Sequence, residues 1–213
     1  MSEVTFTQVP KRYKLSVQDG YLRFITSAAG GAATYDTKAH RLDVLKSVGL
    51  TVDASNKKIY ASGKVYDVTN NVRGGTLTVD VIAIPGEIAD QARGAVASGA
   101  GSYDLNLPQG KEFGFGFSSK MSDGSDVYVW YPRCKMNYAN ETDETSDDSD
   151  IDPSESYEIE CMPTEEGIWR VKYYTANVQE GKTPHTMEEF VKKGLYTKAD
   201  IDSFFGSEAT AGG

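Results

Sequence analysis

Histidine and cysteine are scarce in this chain, with two of each among 213 residues. His40 and His185 stand far apart, and neither accompanies a Ser or Cys in a recognisable nucleophile setting. That scarcity argues against Ser/His and Cys/His catalysis and leaves two isolated loop histidines, which are expected to be solvated. Cys134 and Cys161 lack the CxxC spacing and His neighbours of a zinc or redox site, so two reduced, buried thiols are expected. Both fall in strand-like segments and could lie near each other in a sheet, although sequence leaves their separation open. No apolar run approaches the roughly 20 residues of a membrane-spanning helix. The opening residues, MSEVTFTQVPKRYK, hold no signal-peptide apolar core, and folding in a cytoplasm is expected. A P-loop and a strand-helix GxGxxG are missing, and the basic residues are dispersed without aromatic interleaving. A nucleotide cradle or a groove for sequence-specific nucleic acid is therefore poorly supported.

The chain does have length enough to bury a real core, and 13 Tyr and 8 Phe with which to fill it. One all-β domain with extensions, or at most two small domains, fits 213 residues. The net charge of −9 is local: residues 141–160, ETDETSDDSDIDPSESYEIE, hold ten acidic residues and no Lys or Arg. The remainder has 21 acidic residues against 22 basic ones. Such a block repels itself and solvates, which reads as an exposed acidic loop over 141–156.

Period-two alternation dominates the rest. In GTLTVDVIAIPGEIADQARGAV, residues 75–96, Leu77, Val79, Val81 and Ala83 share one parity while Thr76, Thr78 and Asp80 share the other, as in a half-buried strand. Pro85, Glu87 and the spacing of Ile88, Ala92, Ala95 and Val96 predict a helix over about 85–96. Residues 4–9 and 21–26 read as short strands, and SAAGGAAT at 27–34 as a flexible loop or arm. SVGLTVDAS, a turn at Asn56, KKIYAS and KVYDVT past Gly63 read as hairpins. Tyr103–Leu107 is a further short extended piece. In EFGFGFSSK, residues 112–120, Phe113, Phe115 and Phe117 share one face while Gly114 and Gly116 leave the other open to close approach by a backbone. This predicts a central strand. Residues 126–138, DVYVWYPRCKMNY, form a long strand in which Pro132 implies a bulge or an edge. YEIECMP and IWRVKYYTA follow, joined by a hairpin turn at 164–167. Beyond residue 176 the chain turns to a linker and two short helices over 186–205, the first with a Thr186/Glu189 capping box and the second with a weaker Thr197/Asp200 pair. Residues 1–176 thus form the β domain, and 177–213 a helical extension that must dock on its own domain or on a neighbour.

Asp148, Asp150 and Asp152 resemble the start of a calcium loop, but Pro153 stands where that loop needs Gly. Ile159 likewise occupies the place of its bidentate Glu, leaving Glu158 and Glu160 each one residue out of register. Weak, adventitious binding of a divalent ion is what remains. A glycosidase-like carboxylate pair among 31 acidic residues would be chosen arbitrarily. No catalytic, cofactor-binding or metal-ligating residue is assigned, and an enzyme is not expected.

Four segments, taken in order, carry a resemblance: SVGLTVDASNKKIYASGKVYDV (47–68), GTLTVDVIAIPGEIADQARG (75–94), FGFGFSSKMSDGSDVYVWYPRCKM (113–136) and YEIECMPTEEGIWRVKYYT (157–175). Over roughly residues 45–176 the chain resembles the major tail proteins, or tail tube proteins, of long-tailed bacteriophages of Gram-positive bacteria. The resemblance implies a two-sheet β-sandwich or barrel-like core with one flanking α-helix, here followed by short C-terminal helices. It implies a structural virion protein, assembled in the host cytoplasm, whose hexameric rings stack into the tail tube that conducts genome ejection. Implied partners are further copies of the chain, a tape-measure protein, and tail initiator and terminator proteins, with transient non-specific passage of double-stranded DNA and no membrane. No cofactor is implied. A long loop between strands contacts the next ring in such proteins, and the segment 53–74 is the candidate, with the 27–40 loop and the C-terminal helices as alternatives. The 141–160 acids could face the lumen, the outside or the space between rings. The alternative function is a β-sandwich adhesin or carbohydrate-binding module using Tyr128, Trp130, Trp169 and Tyr173, with calcium at Asp148 to Asp152.

Overall fold

The alternation in residues 75–81 folds as its period dictates: Leu77, Val79 and Val81 are fully buried while Thr78 is exposed. The computed structural model describes residues 11–29, 31–43, 45–61, 63–138, 154–206 and 209–210. Its first strands are β1 (Lys14–Ala29), β2 (Ala32–Tyr35), β3 (His40–Leu42), β4 (Leu45–Ala61) and β5 (Lys64–Val81), which leads into helix α1 (Gly86–Arg93). Then come β6 (Val96–Ser98), β7 (Gly101–Tyr103), β8 (Phe113–Met121), β9 (Asp126–Met136), β10 (Glu155–Cys161) and β11 (Val171–Tyr174). The last elements are β12 (Lys182–Thr183), α2 (Met187–Lys193), α3 (Lys198–Gly206) and β13 (Ala209–Thr210). The expected strand at 4–9 and most of the acidic loop lie outside the described residues.

The protein is mainly β, with a large antiparallel sheet and three helices in a sandwich- or barrel-like arrangement. Hydrogen bonds join the main strands into one sheet in the order β2-β1-β8-β9-β10-β5-β4, with β3 also on β1 and β11 also on β9. The sheet curls so far that Leu45 of β4 approaches Gly20 of β1, its Cδ2 lying 3.5 Å from where a Cβ on that glycine would stand. Inside the curl lie Leu22, Phe113, Phe115, Phe117, Leu77 and Ile159, with Ala89 and Ala92 of α1 packed among them. On the opposite face Tyr21, Tyr128, Trp130 and Tyr173 meet Phe190, Leu195, Tyr196 and Phe204 of the C-terminal segment. The helical extension therefore docks on its own domain.

Several local expectations change. Gly94, at φ 95°, donates its N–H to the Asp90 carbonyl at 2.8 Å, and this left-handed cap ends α1 before Ala95 and Val96. Ala89 joins Ala92 on the buried face, with Ile88 only half-buried; Ala83 lies past the end of β5 and is exposed. Ser27, Ala28 and Ala29 are not a loose arm but pair with Thr34, Ala33 and Ala32 in the β1/β2 hairpin. No turn forms at Asn56, which stays in β4 opposite Asn70. Only Tyr103 of the Tyr103–Leu107 piece is in a strand.

β8 is central, as its glycines imply, but the close approach is made by a side chain rather than a backbone. The Trp130 indole lies where a Cβ on Gly114 would meet its Cζ2 at 2.2 Å, and one on Gly116 its Cε3 at 2.6 Å. Pro132 marks a bulge and not an edge, since β9 is flanked on both sides. Phe113 opposes Cys134 and Phe115 opposes Tyr131, so one additional β9 residue is inserted there. The insertion flips the parity, and Tyr131 and Cys134 both join the inner core. Glu112 grips Arg133 beside the bulge, with contacts of 2.9 and 3.1 Å. The 164–167 turn forms, Thr164 N–H donating to the Ile168 carbonyl at 2.8 Å, yet the strands it connects do not pair with each other. β11 runs along Val127 to Trp130 of β9 and β10 along Cys134 to Met136, one on each side of the bulge.

Cys134 and Cys161 are directly opposed on β9 and β10, both fully buried, with their sulfurs 3.6 Å apart. Both are free thiols, and burial pushes the Cys134 thiol well up.

The capping box forms as spaced: Thr186 Oγ1 accepts from the Glu189 N–H at 3.2 Å while Glu189 Oε2 accepts from the Thr186 N–H at 2.8 Å. At the other end of α2, Arg23 of β1 donates to the carbonyls of Val191 and Lys192 at 3.1 and 2.7 Å, tying the helix to the sheet. Replacement of Thr186 with alanine is expected to cost about 1 kcal/mol in equilibrium denaturation, the usual worth of an N-cap.

Burial also sets an alkaline limit. It pushes the phenols of Tyr128, Tyr131 and Tyr196 up to about 12 from an ordinary value of 10.0, and that of Tyr35 well up as well. A raised folded-state value favours the neutral phenol, so this stabilisation is complete below pH 10.0 and is lost as the pH climbs towards about 12. Thermal midpoints should fall across that window as tyrosinate absorbance rises, whereas a flat profile would contradict the burial of these rings.

Candidate assembly surface

The residues singled out for chemistry do not converge. His40 is half-buried with its ring edge-on to Phe24 at 5.8 Å, and burial, followed by nearby Lys38, lowers its pKa. His185 packs its ring 4.1 Å from that of Phe204 and sets Nε2 3.1 Å from the Phe204 carbonyl oxygen. Both are packing residues rather than solvated loop histidines. Among the described residues no cluster of three or more His, Cys, Asp or Glu could hold a metal. Asp148, Asp150 and Asp152 lie outside the described residues; Glu158 is exposed on β10, and Glu160 accepts from Thr76 Oγ1 at 3.0 Å. Tyr128, Trp130 and Tyr173 are buried beneath the C-terminal helices, and half-buried Trp169 is covered by the Arg170 guanidinium at 4.6 Å. These four aromatics form no open platform. A shallow cavity of about 750 Å³ between α1 and the β6/β7 hairpin is walled largely by small residues, with Glu87, Asp90 and Lys111 at its margin.

The chain's most distinctive feature is a ribbon. β4 and β5 continue past the sheet as a two-stranded projection in which residues 51–60 and 63–73 are all exposed. The nine residue steps from Val52 to Ala61 span about 30 Å at strand rise. The base is fixed where β5 leaves β10, at Gly75 opposite Cys161. Gly74 adopts φ 140° there, and a Cβ on it would stand 2.2 Å from the Cys161 carbonyl oxygen, so only glycine fits this point. Two β5 bulges, at Arg73 and Tyr66, twist the ribbon.

The ribbon has two unlike faces. By alternation, the side that packs Val48, Leu50, Leu77 and Val79 on the core continues outwards as Val52, Ala54, Tyr60, Val65, Val68 and Val72, interrupted at mid-length by Asn56, Lys58 and Asn70, with Tyr66 in the bulge beside them. Tyr66 is 78% exposed and Tyr60 64%. The other face carries Ser55, Lys57, Ile59, Asp67, Thr69 and Asn71. Residues 53–74 hold four basic residues against two acidic ones in a chain of net charge −9. An isolated two-stranded ribbon is marginal in water, and an exposed apolar stripe of this kind marks an interaction surface. Among the described residues neither outer edge of the projection has a strand partner.

The candidate segment 53–74 thus does project, as one long ribbon rather than two hairpins. Its amphipathic face is hidden in the sequence because the bulges shift parity, while the signal for the real turn, Gly63 at φ 73° just before Lys64, is present there. No protein-family model matches the chain, and comparison with curated proteins gives no match.

Proposed function

We propose that this chain is a structural, self-assembling protein whose stacked, hexameric rings form a phage tail tube. The observation that carries this reading is the ribbon: an exposed projection about 30 Å long, with valines and tyrosines along one face, serves a second molecule better than a solitary domain. A sheet that ends on the free edge of β4 extends by pairing with another copy, which turns edge strands into interface. Contacts between unlike surfaces, repeated about an axis, close into a ring. The buried positions of Tyr128, Trp130 and Tyr173 weigh against the carbohydrate-binding alternative.

The mechanism on this reading is physical. A tube must pass double-stranded DNA without holding it, and carboxylates on its wall repel phosphate and avoid the Lys and Arg contacts that dominate DNA affinity. Tape-measure, initiator and terminator proteins set its length and ends, and assembly takes place in the host cytoplasm before the tail joins the virion. Negative-stain electron microscopy of the concentrated protein, with mass measured in solution, tests the reading. Rings or tubes with six-fold end views are expected. A strict monomer at every concentration, even with tail initiator proteins added, overturns it.

A further inference from the structure

The ribbon leaves one end of the barrel, and a second apolar exposure lies at the other. β5 runs from the ribbon base at Gly75 to Val81, about 20 Å further on, and then enters α1. At that far end the segment between α1 and β8 exposes Tyr103, Leu105 and Leu107, and Tyr138, just past the end of β9, donates from its hydroxyl to Asp104 at 2.8 Å, drawing a second aromatic ring into the group. Leu107 is 75% exposed. Three large apolar side chains in five residues of irregular chain are not explained by the protein's own core, which none of them joins.

Resting on the self-assembly reading above, we propose that this surface is the receptor for the β4/β5 ribbon of a second copy of the chain. Both surfaces expose large apolar side chains, and the charged residues on and around them are opposite in net sign. The ribbon carries Lys57, Lys58, Lys64 and Arg73 against Asp53 and Asp67, while the far end sets Glu87, Asp90, Asp104 and Glu155 around the patch against Arg93 and Lys111. The two surfaces are different and lie at opposite ends of one strand direction, so the contact is head-to-tail: each copy offers a ribbon at one end and a receptor at the other. Such a contact repeats along an axis without closing. It also leaves the free edge of β4 available for lateral pairing.

Photocrosslinking separates this proposal from the reading beneath it. Tyr66 is replaced by p-benzoylphenylalanine, the protein is assembled at high concentration and irradiated, and crosslinked peptides are sequenced by mass spectrometry. Capture of a second copy through the peptide that contains residues 103–107, or through Tyr138, is the expected result. In parallel, Leu107→Asp should reduce assembled particles roughly tenfold or more, the scale of losing one central apolar contact, with an unchanged melting midpoint because the side chain is exposed. If particles form but Tyr66 is captured elsewhere, or Leu107→Asp assembles as the parent does, the receptor assignment is wrong while self-assembly stands. If the parent chain forms no particle and Tyr66 captures no second copy, the self-assembly reading falls and the receptor with it.

Discussion

Trp130→Ala should lower the unfolding free energy by about 3–5 kcal/mol, the range for truncating a fully buried large aromatic. Trp130 has no exposed surface and belongs to the core that the sheet shares with the C-terminal helices. Its indole fills the space left by two glycines on the neighbouring strand, where a Cβ would come within 2.2 Å at Gly114 and 2.6 Å at Gly116. Tyr35 meets it edge-on at 5.8 Å and is itself held by a 2.6 Å hydrogen bond from its hydroxyl to the Pro132 carbonyl. The surroundings are strand backbone and locked rings, so the cavity cannot collapse and the cost belongs at the upper end of the range. Chemical denaturation measures it. A loss below about 1 kcal/mol, typical of a partly exposed site, would mean that the helices do not hold this face. Gly114→Ala should fail in the complementary sense, by overpacking, because the first atom in its way is an indole carbon that cannot retreat.

Excision of the ribbon should have the opposite signature: assembly abolished, stability nearly untouched. Replacing residues 55–71 by Asn-Gly joins Ala54 to Val72, which already face each other, through the two-residue turn that suits antiparallel strands. The removed residues are exposed throughout, apart from the undescribed tip, so the folded body loses no core contact. The change in unfolding free energy should therefore stay within about 1 kcal/mol. Particles seen by negative stain with the parent chain should disappear. Rings and tubes that persist without the ribbon would remove the observation on which the proposed function rests, whereas loss of folding would show that the ribbon supports its own barrel.

Much of this architecture is legible in local pattern. Leu77, Val79 and Val81 declare an inward face because a strand alternates every residue, whatever it pairs with. Thr186 and Glu189 declare a helix start because a capping box closes within four residues. Gly114 and Gly116 declare a close approach, though not that a side chain makes it, and Pro132 declares a bulge or an edge without deciding between them, because each is a backbone property carried by one residue type. The absence of a plausible nucleophile setting around His40 and His185 is equally plain from the sequence, although their packing against Phe24 and Phe204 is not.

Other features were settled only when distant segments met. Asn56 looks like a turn, yet sixteen of the seventeen residues of β4 pair with β5 across it, and the ladder overrides the local preference. The helix seems to reach Val96 by periodicity, but Gly94 turns left-handed and the chain goes on to pair in β6 instead. The 164–167 turn predicts a hairpin, while β10 and β11 both find their partner in β9. Composition and alternation determined that this protein is mainly β, where its helices begin and which side of each strand is apolar, because those depend on neighbours a few residues away. Tertiary structure decided which strands pair, where bulges reset parity, and that the apolar side of residues 52–72 runs out past the core as an open surface, because register and burial depend on residues far along the chain.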